Sequence, residues 1–150
     1  TLALLRASGE LNGSYVLAGN FEASPIVYYG SPNQFKQIFW NLTKNALKAM
    51  PQGGTLTINF FLDKKKAVWI SVADTGRGLQ EEEKKHLFEP FFSRFENGRG
   101  LGLVIVRRIV DDYDGKIEVR SEFRKGTEII MTFPAREART KEAASGMMLN

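Results

Sequence analysis

The clearest hydrophobic pattern in the chain runs from residue 35 to residue 49, where apolar side chains recur every three or four positions. This spacing places them on one face of an α-helix, so the run predicts a helix with a buried stripe. Ser31, Pro32 and Gln34 precede it at the N-cap, first and third positions of a capping box. Pro51 ends the pattern.

The other apolar patterns predict two more helices and several short strands. A second amphipathic run predicts a helix over residues 101–113, and a shorter helix that begins with acidic residues fits residues 81–88. The lysine-rich stretch 64–66 is predicted to be the exposed tip of a hairpin. Runs rich in β-branched and aromatic residues predict strands at 15–22, 26–29, 55–62, 67–73, 116–122 and 127–133.

The mixed order of these elements predicts an α/β (α+β) two-layer sandwich, with one sheet covered on one face by about three helices. Residues 15–134 form the predicted domain. Residues 1–14 are interpreted as a linker, and residues 135–150, rich in alanine and charge, as a flexible C-terminal tail.

Composition restricts the function of the domain more than it defines it. A chain of 150 residues with 43% hydrophobic residues has the size and apolar content of one globular domain. The absence of cysteine and the single histidine exclude disulfides, cysteine-based metal sites and multi-histidine metal centres in this chain. No apolar run approaches the roughly 20 residues needed to span a bilayer, so we expect a soluble domain without membrane contact. The net charge of +4 comes from scattered basic residues, which does not favour nucleic acid.

Three polar residues border the apolar stripe of the first long helix. At about 100° per residue, Asn41, Asn45 and Lys48 fall within roughly 60° of one another. A carboxamide oxygen is a hard, neutral ligand suited to Mg²⁺, and a lysine nearby suits phosphate oxygens as a point charge. Ordinary polarity at the edge of a core explains the same residues when this helix is considered alone.

A turn with two glycines follows the strand predicted at 67–73. Gly76 and Gly78 permit unusual backbone angles and the close approach of a flat ligand. Asp74 precedes them, and its carboxylate can only accept hydrogen bonds, so it matches an exocyclic amino group such as that of adenine. A hairpin turn without a ligand is the alternative.

A glycine-rich stretch leads directly into the second long helix. Backbone N–H groups and the positive dipole end at such a helix start attract an anion. The stretch is not a Walker loop, because no Gly-Lys-Ser/Thr follows, and no strand precedes it as in a Rossmann fingerprint. A flexible connector is the alternative. The stretch reads Gly98-Arg99-Gly100-Leu101-Gly102-Leu103.

Together and in this order, these segments resemble the sequence boxes of sensor histidine kinases. The resemblance covers about residues 15–134 and implies the Bergerat ATP-binding fold, a mixed and mostly antiparallel sheet that type II topoisomerases and mismatch-repair ATPases share. Residues 33–50 resemble the N box, 74–78 the G1 box, 88–92 the F box, 98–103 the G2 box, and 126–127 the Gly-Thr pair before the last strand.

The resemblance implies ATP and Mg²⁺ as cofactors and gives roles to individual residues. Asn45 would hold Mg²⁺ with Asn41 nearby, and Lys48 would contact the phosphates. Arg94, in a very short lid at residues 93–99 like that of nitrogen-regulation kinases, would contact the terminal phosphate. Arg99 stands where a small threonine is usual, and its role is open. The other implied cofactor-binding residues are Asp74 at the adenine amino group, Gly76, Gly78, Leu79, Phe91, Phe92, Gly100, Leu101, Gly102, Leu103 and Thr127.

Asn41 and His86 bear on the type of reaction. Water-splitting ATPases of this fold carry a glutamate at the position of Asn41, and an asparagine cannot act as that general base. His86 lies on the short helix predicted at 81–88, not on a dimerisation helix. The resemblance therefore implies transfer of the γ-phosphoryl group to a histidine on a separate dimerisation domain. Residues 1–14 would be a linker or the end of the preceding dimerisation helix.

The resemblance implies a role in two-component signalling and a location in the cytoplasm. It is compatible with a longer parent protein that is anchored in a membrane. It implies a monomer that meets its response regulator only indirectly. Two alternatives share the fold: an anti-sigma-type protein serine kinase, and a nucleotide-gated, inactive interaction module. Arg99 is the residue that favours the inactive module.

Overall fold

The computed structural model describes residues 14–20, 26, 28–93 and 98–136, which form a five-stranded sheet and three helices. The predicted elements are confirmed within one or two residues, apart from the two nearest the N-terminus. The helices are α1 (Pro32–Ala49), α2 (Glu81–His86) and α3 (Gly102–Asp112). The strands are β1 (Tyr15–Ala18), β2 (Gly54–Leu62), β3 (Val68–Asp74), β4 (Lys116–Glu122) and β5 (Gly126–Phe133).

The sheet has the strand order β1-β2-β3-β5-β4. β1 pairs with β2 in parallel, whereas β2–β3, β3–β5 and β4–β5 are antiparallel pairs. The predicted mixed, mostly antiparallel sheet is thus confirmed. Because β5 lies between β3 and β4, the end of β3 lies beside the start of β5, and Asp74 is paired with Thr127.

The core lies between one face of the sheet and the two long helices. Ile70 and Val72 of β3 are buried in the same apolar cluster as Ile38 and Leu42 of α1. Because side chains alternate along a strand, the residues of β3 that lie between these core positions point to the opposite face of the sheet. The two-layer arrangement is therefore confirmed. α3 contributes Val106, Ile109 and Val110 to the cluster.

α1 begins where the sequence predicts, but a distant tyrosine completes its cap. The Ser31 hydroxyl accepts the backbone N–H of Gln34 at 3.5 Å. The reciprocal half of the predicted capping box is wrong: the Ser31 N–H donates to the Tyr113 hydroxyl at 2.7 Å, and that hydroxyl donates to Gln34 Oε1 at 2.7 Å. In a capping box the Gln34 side chain would accept the Ser31 N–H directly, whereas here the Tyr113 hydroxyl bonds to both groups.

The strand predicted at 26–29 is wrong for the described part of that stretch. Tyr28 and Tyr29 lie outside every strand. The Tyr28 ring packs against Phe35 and Phe133, with ring centroids 5.9 and 5.8 Å apart. Burial of this ring at the edge of the core takes the place of strand pairing, because aromatic rings bury a large apolar area.

Both ends of the chain extend past the described residues. β1 covers the first part of the strand predicted at 15–22, of which residues 21 and 22 lie outside the described set. The predicted linker at 1–14 and tail at 135–150 also lie outside it, apart from residues 14, 135 and 136. Within the described ranges, no helix is both long and apolar enough to cross a membrane.

The lysine-rich hairpin tip between β2 and β3 is confirmed, and Asp63 holds it in place. Asp63 Oδ1 accepts the backbone N–H groups of Lys65 at 2.8 Å and Ala67 at 2.9 Å. Asp63 Oδ2 accepts the indole N–H of Trp69 at 3.2 Å. These hydrogen bonds, that from Ala67 above all, lower the pKa of the Asp63 carboxyl.

Candidate nucleotide-binding site

A cavity of about 550 Å³ lies between α1 and the start of α3, and is called the wide cavity below. α1 lines it with Trp40, Asn41, Lys44, Asn45 and Lys48. Residues at this spacing share one helix face. The three polar residues that the sequence singles out on α1 therefore lie together on one wall, and the volume is typical of a small-molecule site.

The opposite wall is the glycine-rich stretch that leads into α3. Gly102 begins α3, and a Cβ atom placed there would lie 3.2 Å from Asn41 Oδ1. Glycine at this position lets the first turn of α3 approach the Asn41 amide closely, so the two helices meet across the site. The residues of the stretch that line the wide cavity are Gly98, Arg99, Gly100, Leu101, Gly102 and Leu103.

Positive charge lines the wide cavity. Lys44, Lys48 and Arg99 contribute cations, and no aspartate or glutamate lines it among the described residues. The N-terminus of α3 adds the positive end of its dipole. Leu101 occupies the N-cap of α3 and has no side-chain oxygen that could accept the first backbone N–H groups of the helix. Cations and backbone donors arranged in this way suit a polyphosphate.

A second, narrow compartment adjoins the wide cavity. Asn45 and Leu103 line both, and Asp74 and Thr127 line the narrow compartment. The residues predicted to hold magnesium and adenine, Asn45 and Asp74, therefore line one space. Its volume of about 20 Å³ holds about one water and no purine ring. Leu79 also lines it, and a base can enter only when side chains of the lining residues move.

Asp74 ends β3, and the following turn orients its carboxylate. Oδ1 accepts the backbone N–H of Gly76 at 2.9 Å. An ionised carboxylate only accepts hydrogen bonds, and its two oxygens carry several acceptor sites. The carboxylate is therefore suited to accept an amino group in the narrow compartment, as the exocyclic amine of adenine requires.

Ser121 of β4 sets the direction of the Thr127 hydroxyl. Its Oγ donates to the carbonyl of Gly126 at 2.8 Å, accepts the N–H of Leu79 at 2.9 Å, and lies 2.9 Å from Thr127 Oγ1. A hydroxyl carries one proton, so when Ser121 gives its proton to the carbonyl of Gly126, Thr127 donates across the third contact. In that arrangement the lone pairs of Thr127 Oγ1 can accept a hydrogen bond from a ligand, and Thr127 lines the narrow compartment. The sequence gives no signal for Ser121, because its role depends on the pairing of β4 with β5.

Gly76 and Gly78 pack the turn after β3 and line neither space. A Cβ atom at Gly76 would lie 2.5 Å from the carbonyl oxygen of Ala49, and one at Gly78 would overlap the carbonyl oxygen of Glu122. Gly78 also has a φ of +65°, which favours glycine. The turn needs both glycines to pass between α1 and β4, and their contact with a cofactor stays a prediction.

A backbone contact between Phe91 and Gly100 joins the two sides of the predicted lid at residues 93–99. The N–H of Phe91 donates to the carbonyl of Gly100 at 3.1 Å, and the two residues have φ values of +65° and +66°. Phe92 lines the wide cavity, whereas Phe91 is 78% exposed and lines neither space. Arg94, predicted to contact the terminal phosphate, lies outside the described residues.

Several residues of the wide cavity were missed by sequence reasoning. Lys44 and Trp40 lie one and two helical repeats before Lys48, so the spacing itself signals that they share its face. The apolar side chains and the serine carry no comparable signal. The missed lining residues are Trp40, Lys44, Leu87, Ser93 and Ile105.

Comparison with known proteins agrees with this geometry. Residues 30–137 match the family described as histidine kinase-, DNA gyrase B-, and HSP90-like ATPase. Sporulation kinase D of Bacillus subtilis (strain 168) is 38% identical to this chain over 133 residues, which make up 89% of the chain and 26% of the kinase. The chain therefore spans about a quarter of the length of this relative.

Solved histidine kinase structures share the fold. The catalytic domain of histidine kinase ThkA, in a nucleotide-free form, superposes with a TM-score of 0.76 at 27% identity, over 88% of this chain and 86% of that domain. Full-length ShkA in complex with AMPPNP superposes with a TM-score of 0.74 at 26% identity, over 91% of this chain and 29% of ShkA. The predicted sandwich is therefore that of histidine kinase catalytic domains.

Proposed function

Because this chain belongs to the family of histidine kinase-, DNA gyrase B-, and HSP90-like ATPases, we propose that it binds Mg-ATP and donates the γ-phosphoryl group to a histidine of a separate dimerisation domain. One observation carries the proposal: Asn45 lines both the wide cavity, with Lys48, and the narrow compartment, with Asp74. A single nucleotide can therefore contact the phosphate-binding helix and the adenine-binding carboxylate at once. Homology to a sporulation kinase supports the kinase activity.

The nucleotide lies across α1 in this proposal. Its adenine enters the narrow compartment, where Asp74 and Thr127 accept hydrogen bonds from the exocyclic amine. Its phosphates occupy the wide cavity between Lys48 and the N-terminus of α3. ShkA has the same fold and was solved in complex with AMPPNP, which supports a nucleotide triphosphate as the ligand.

The donor set on α1 fits Mg²⁺ shared with phosphate oxygens. The described residues contain no group of three His, Cys, Asp or Glu side chains that could hold a metal by themselves. Mg²⁺ keeps several waters and takes few protein ligands. Asn45 offers a neutral oxygen on the cavity wall, with Asn41 one turn away. When bound, the ion supplies charge neutralisation at the phosphates.

Asn41 favours transfer to a partner over hydrolysis. Its amide does not take a proton from water at neutral pH, so water activation lacks a base at this point of the wall. In the transfer, the bond from γ-phosphorus to the bridging oxygen breaks, and its electron pair leaves with ADP. A bond from phosphorus to the imidazole nitrogen forms, and the imidazole proton passes to a base outside this chain. Lys48 stabilises the charge that develops on the phosphates.

His86 is not the acceptor in this proposal. Its Nδ1 lies 2.9 Å from Glu89 Oε2, and its ring centroid lies 5.7 Å from that of Phe92. His86 does not line the wide cavity, where the phosphates would lie. The acceptor histidine therefore belongs to another domain, from which a response regulator would receive the phosphoryl group.

An inactive, nucleotide-gated interaction module is the second candidate. The narrow compartment favours it, because about 20 Å³ excludes a purine until side chains that line the compartment move. An anti-sigma-type serine kinase differs from the main proposal only in its acceptor side chain, so the acceptor has to be identified chemically.

Calorimetric titration with Mg-ATP tests the binding step. We expect wild type and Lys36→Ala, changed at an exposed position of α1, to bind alike. Asn45→Ala should lose binding, and Asp74→Asn should lose its preference for ATP over GTP. No binding by wild type would favour the inactive module, and normal affinity in both site variants would place the site elsewhere.

Incubation with γ-labelled ATP and a separately produced histidine-bearing dimerisation domain tests the transfer step. An acid-labile label on that domain, absent when its histidine is replaced by glutamine, is the expected result. An acid-stable label on a serine would favour the serine kinase. Rapid ATP turnover by the isolated chain would contradict the role given to Asn41.

A further inference from the structure

Trp40 and Lys44 form an edge of the wide cavity that has no role in the scheme above. Both line the cavity beside Lys48. The Lys44 ammonium nitrogen lies 5.1 Å from the centroid of the Trp40 ring, which is the geometry of a cation–π contact. The ring therefore holds the ammonium group at the cavity wall.

Helical spacing places Lys44 further from the narrow compartment than Lys48. Asn45 lines the narrow compartment, whereas Lys44 and Trp40 line only the wide cavity of the two. A nucleotide whose base enters the narrow compartment can therefore extend its phosphates around α1 toward Lys44. At about 100° per residue, the order around the helix over about 140° is Asn45, Asn41, Lys48, Lys44 and Trp40.

The pair of lysines on this face suits an extended anion. Lys44 and Lys48 are one helical repeat apart, so they lie on the same face of α1. Lys44 is half-buried at the cavity, whereas Lys36 on the same helix is exposed. A polyphosphate that extends along this face can accept hydrogen bonds from both ammonium groups.

On the basis of the proposed function, we infer that Lys44 binds the terminal, transferable phosphoryl group, while Lys48 binds the phosphates nearer the adenosine. Trp40 is a positioning residue that acts through Lys44. ADP lacks the terminal group, so Lys44 distinguishes the substrate from the product. The wide cavity then favours entry of ATP and release of ADP.

Parallel calorimetric titrations with Mg-ATP and Mg-ADP test this assignment. Charge-assisted hydrogen bonds are strong enough that Lys44→Ala should weaken ATP binding about tenfold. Its ADP affinity should change less than about twofold, which is within the effect of an ordinary surface substitution. Lys44→Arg should keep most of the ATP affinity, and Lys36→Ala is the matched control on the same helix. Thermal unfolding shows that each variant folds.

Variants of Trp40 test its positioning role with the same readout. Trp40→Leu should reproduce the selective loss of ATP affinity in weaker form, because Lys44 keeps its charge but loses its platform. Trp40→Phe should restore much of the selectivity, since it keeps an aromatic face. If the ratio of ATP affinity to ADP affinity were equal in wild type and Trp40→Leu, this role would be overturned.

Three outcomes would overturn the assignment of Lys44. An equal loss of ATP and ADP affinity in Lys44→Ala would place it at the inner phosphates. Unchanged affinity for both nucleotides, with a higher KM for the histidine-bearing domain, would place it against an acidic group of the partner. A wild-type chain that binds neither nucleotide would refute the proposed function itself, and with it this inference.

Discussion

The Tyr113 hydroxyl oxygen lies 2.7 Å from the backbone nitrogen of Ser31, so the C-cap of α3 contacts the N-cap of α1. The same hydroxyl donates to Gln34 Oε1 at 2.7 Å. At the cavity, Gly102 brings the first turn of α3 against Asn41. The two helices that form the walls of the site are thus fixed to each other at two separate points.

Tyr113→Phe removes the hydroxyl and keeps the ring, which packs 5.3 Å from Phe35 between centroids. We expect the free energy of unfolding to fall by about 1–3 kcal/mol, because the Ser31 N–H and the Gln34 amide lose a partner. Urea unfolding measures this change. Tyr29→Phe, at a residue 42% exposed, is the control and should change little. Equal stability of both variants would show that the Tyr113 hydroxyl does not join the helices.

Ser121→Ala tests the hydroxyl network at the narrow compartment. It leaves the buried N–H of Leu79 without its acceptor, which should cost about 1–3 kcal/mol in urea unfolding. It also releases the Thr127 hydroxyl, so the preference for ATP over GTP should decrease in nucleotide titrations. Ser121→Thr keeps the hydroxyl and should retain that preference. A wild-type preference in Ser121→Ala would refute the direction assigned to the Thr127 hydroxyl.

Gly100→Ala tests the base of the lid. A Cβ atom at Gly100 would lie 2.5 Å from the Phe91 carbonyl carbon, and the φ of +66° is strained for alanine. We expect the Phe91 N–H to exchange faster with deuterium, because its hydrogen bond to Gly100 is displaced. Gly102→Ala, where the nearest atom is a side-chain oxygen at 3.2 Å, should leave Phe91 exchange nearly unchanged. Equal exchange in Gly100→Ala and wild type would refute the contact.

Asp63 gives the β2–β3 hairpin a dependence on pH. Hydrogen bonds from Ala67 and Trp69 hold the pKa of its carboxyl below the ordinary value of 3.8. A carboxyl whose pKa is lower in the folded state than in the unfolded state contributes its full stabilisation of the fold above the unfolded-state pKa. This contribution is lost as the pH falls toward the folded-state pKa. Asp63→Asn should therefore be less stable than wild type near neutral pH, by a margin that shrinks below pH 3.8. An NMR titration of Asp63 with a midpoint at or above 3.8 would contradict this.

The polar face of α1 could be predicted from the sequence because helical geometry is local. Once Ser31 and Pro32 fix the start of the helix, the spacing of Asn41, Asn45 and Lys48 places them on one side. The capping box failed for a non-local reason, since Tyr113 reaches it only after α3 packs on α1.

The meeting of Asp74 and Thr127 could not be predicted from local pattern. It depends on β5 entering the sheet between β3 and β4, and strand order is a property of the whole fold. Only the resemblance to a family linked the two residues beforehand. Ser121 was missed because its three partners come together only through that strand order.

The hydrogen bond from Phe91 to Gly100 brings together the two residues between which the predicted lid lies. The entropy of closing a flexible loop rises slowly, by about 0.6 kcal/mol for each doubling of its length. Insertions and deletions between these two anchors should therefore be tolerated while β3, α1 and α3 keep their positions. Such a scaffold can acquire lids of different length during evolution without rebuilding the walls beneath them.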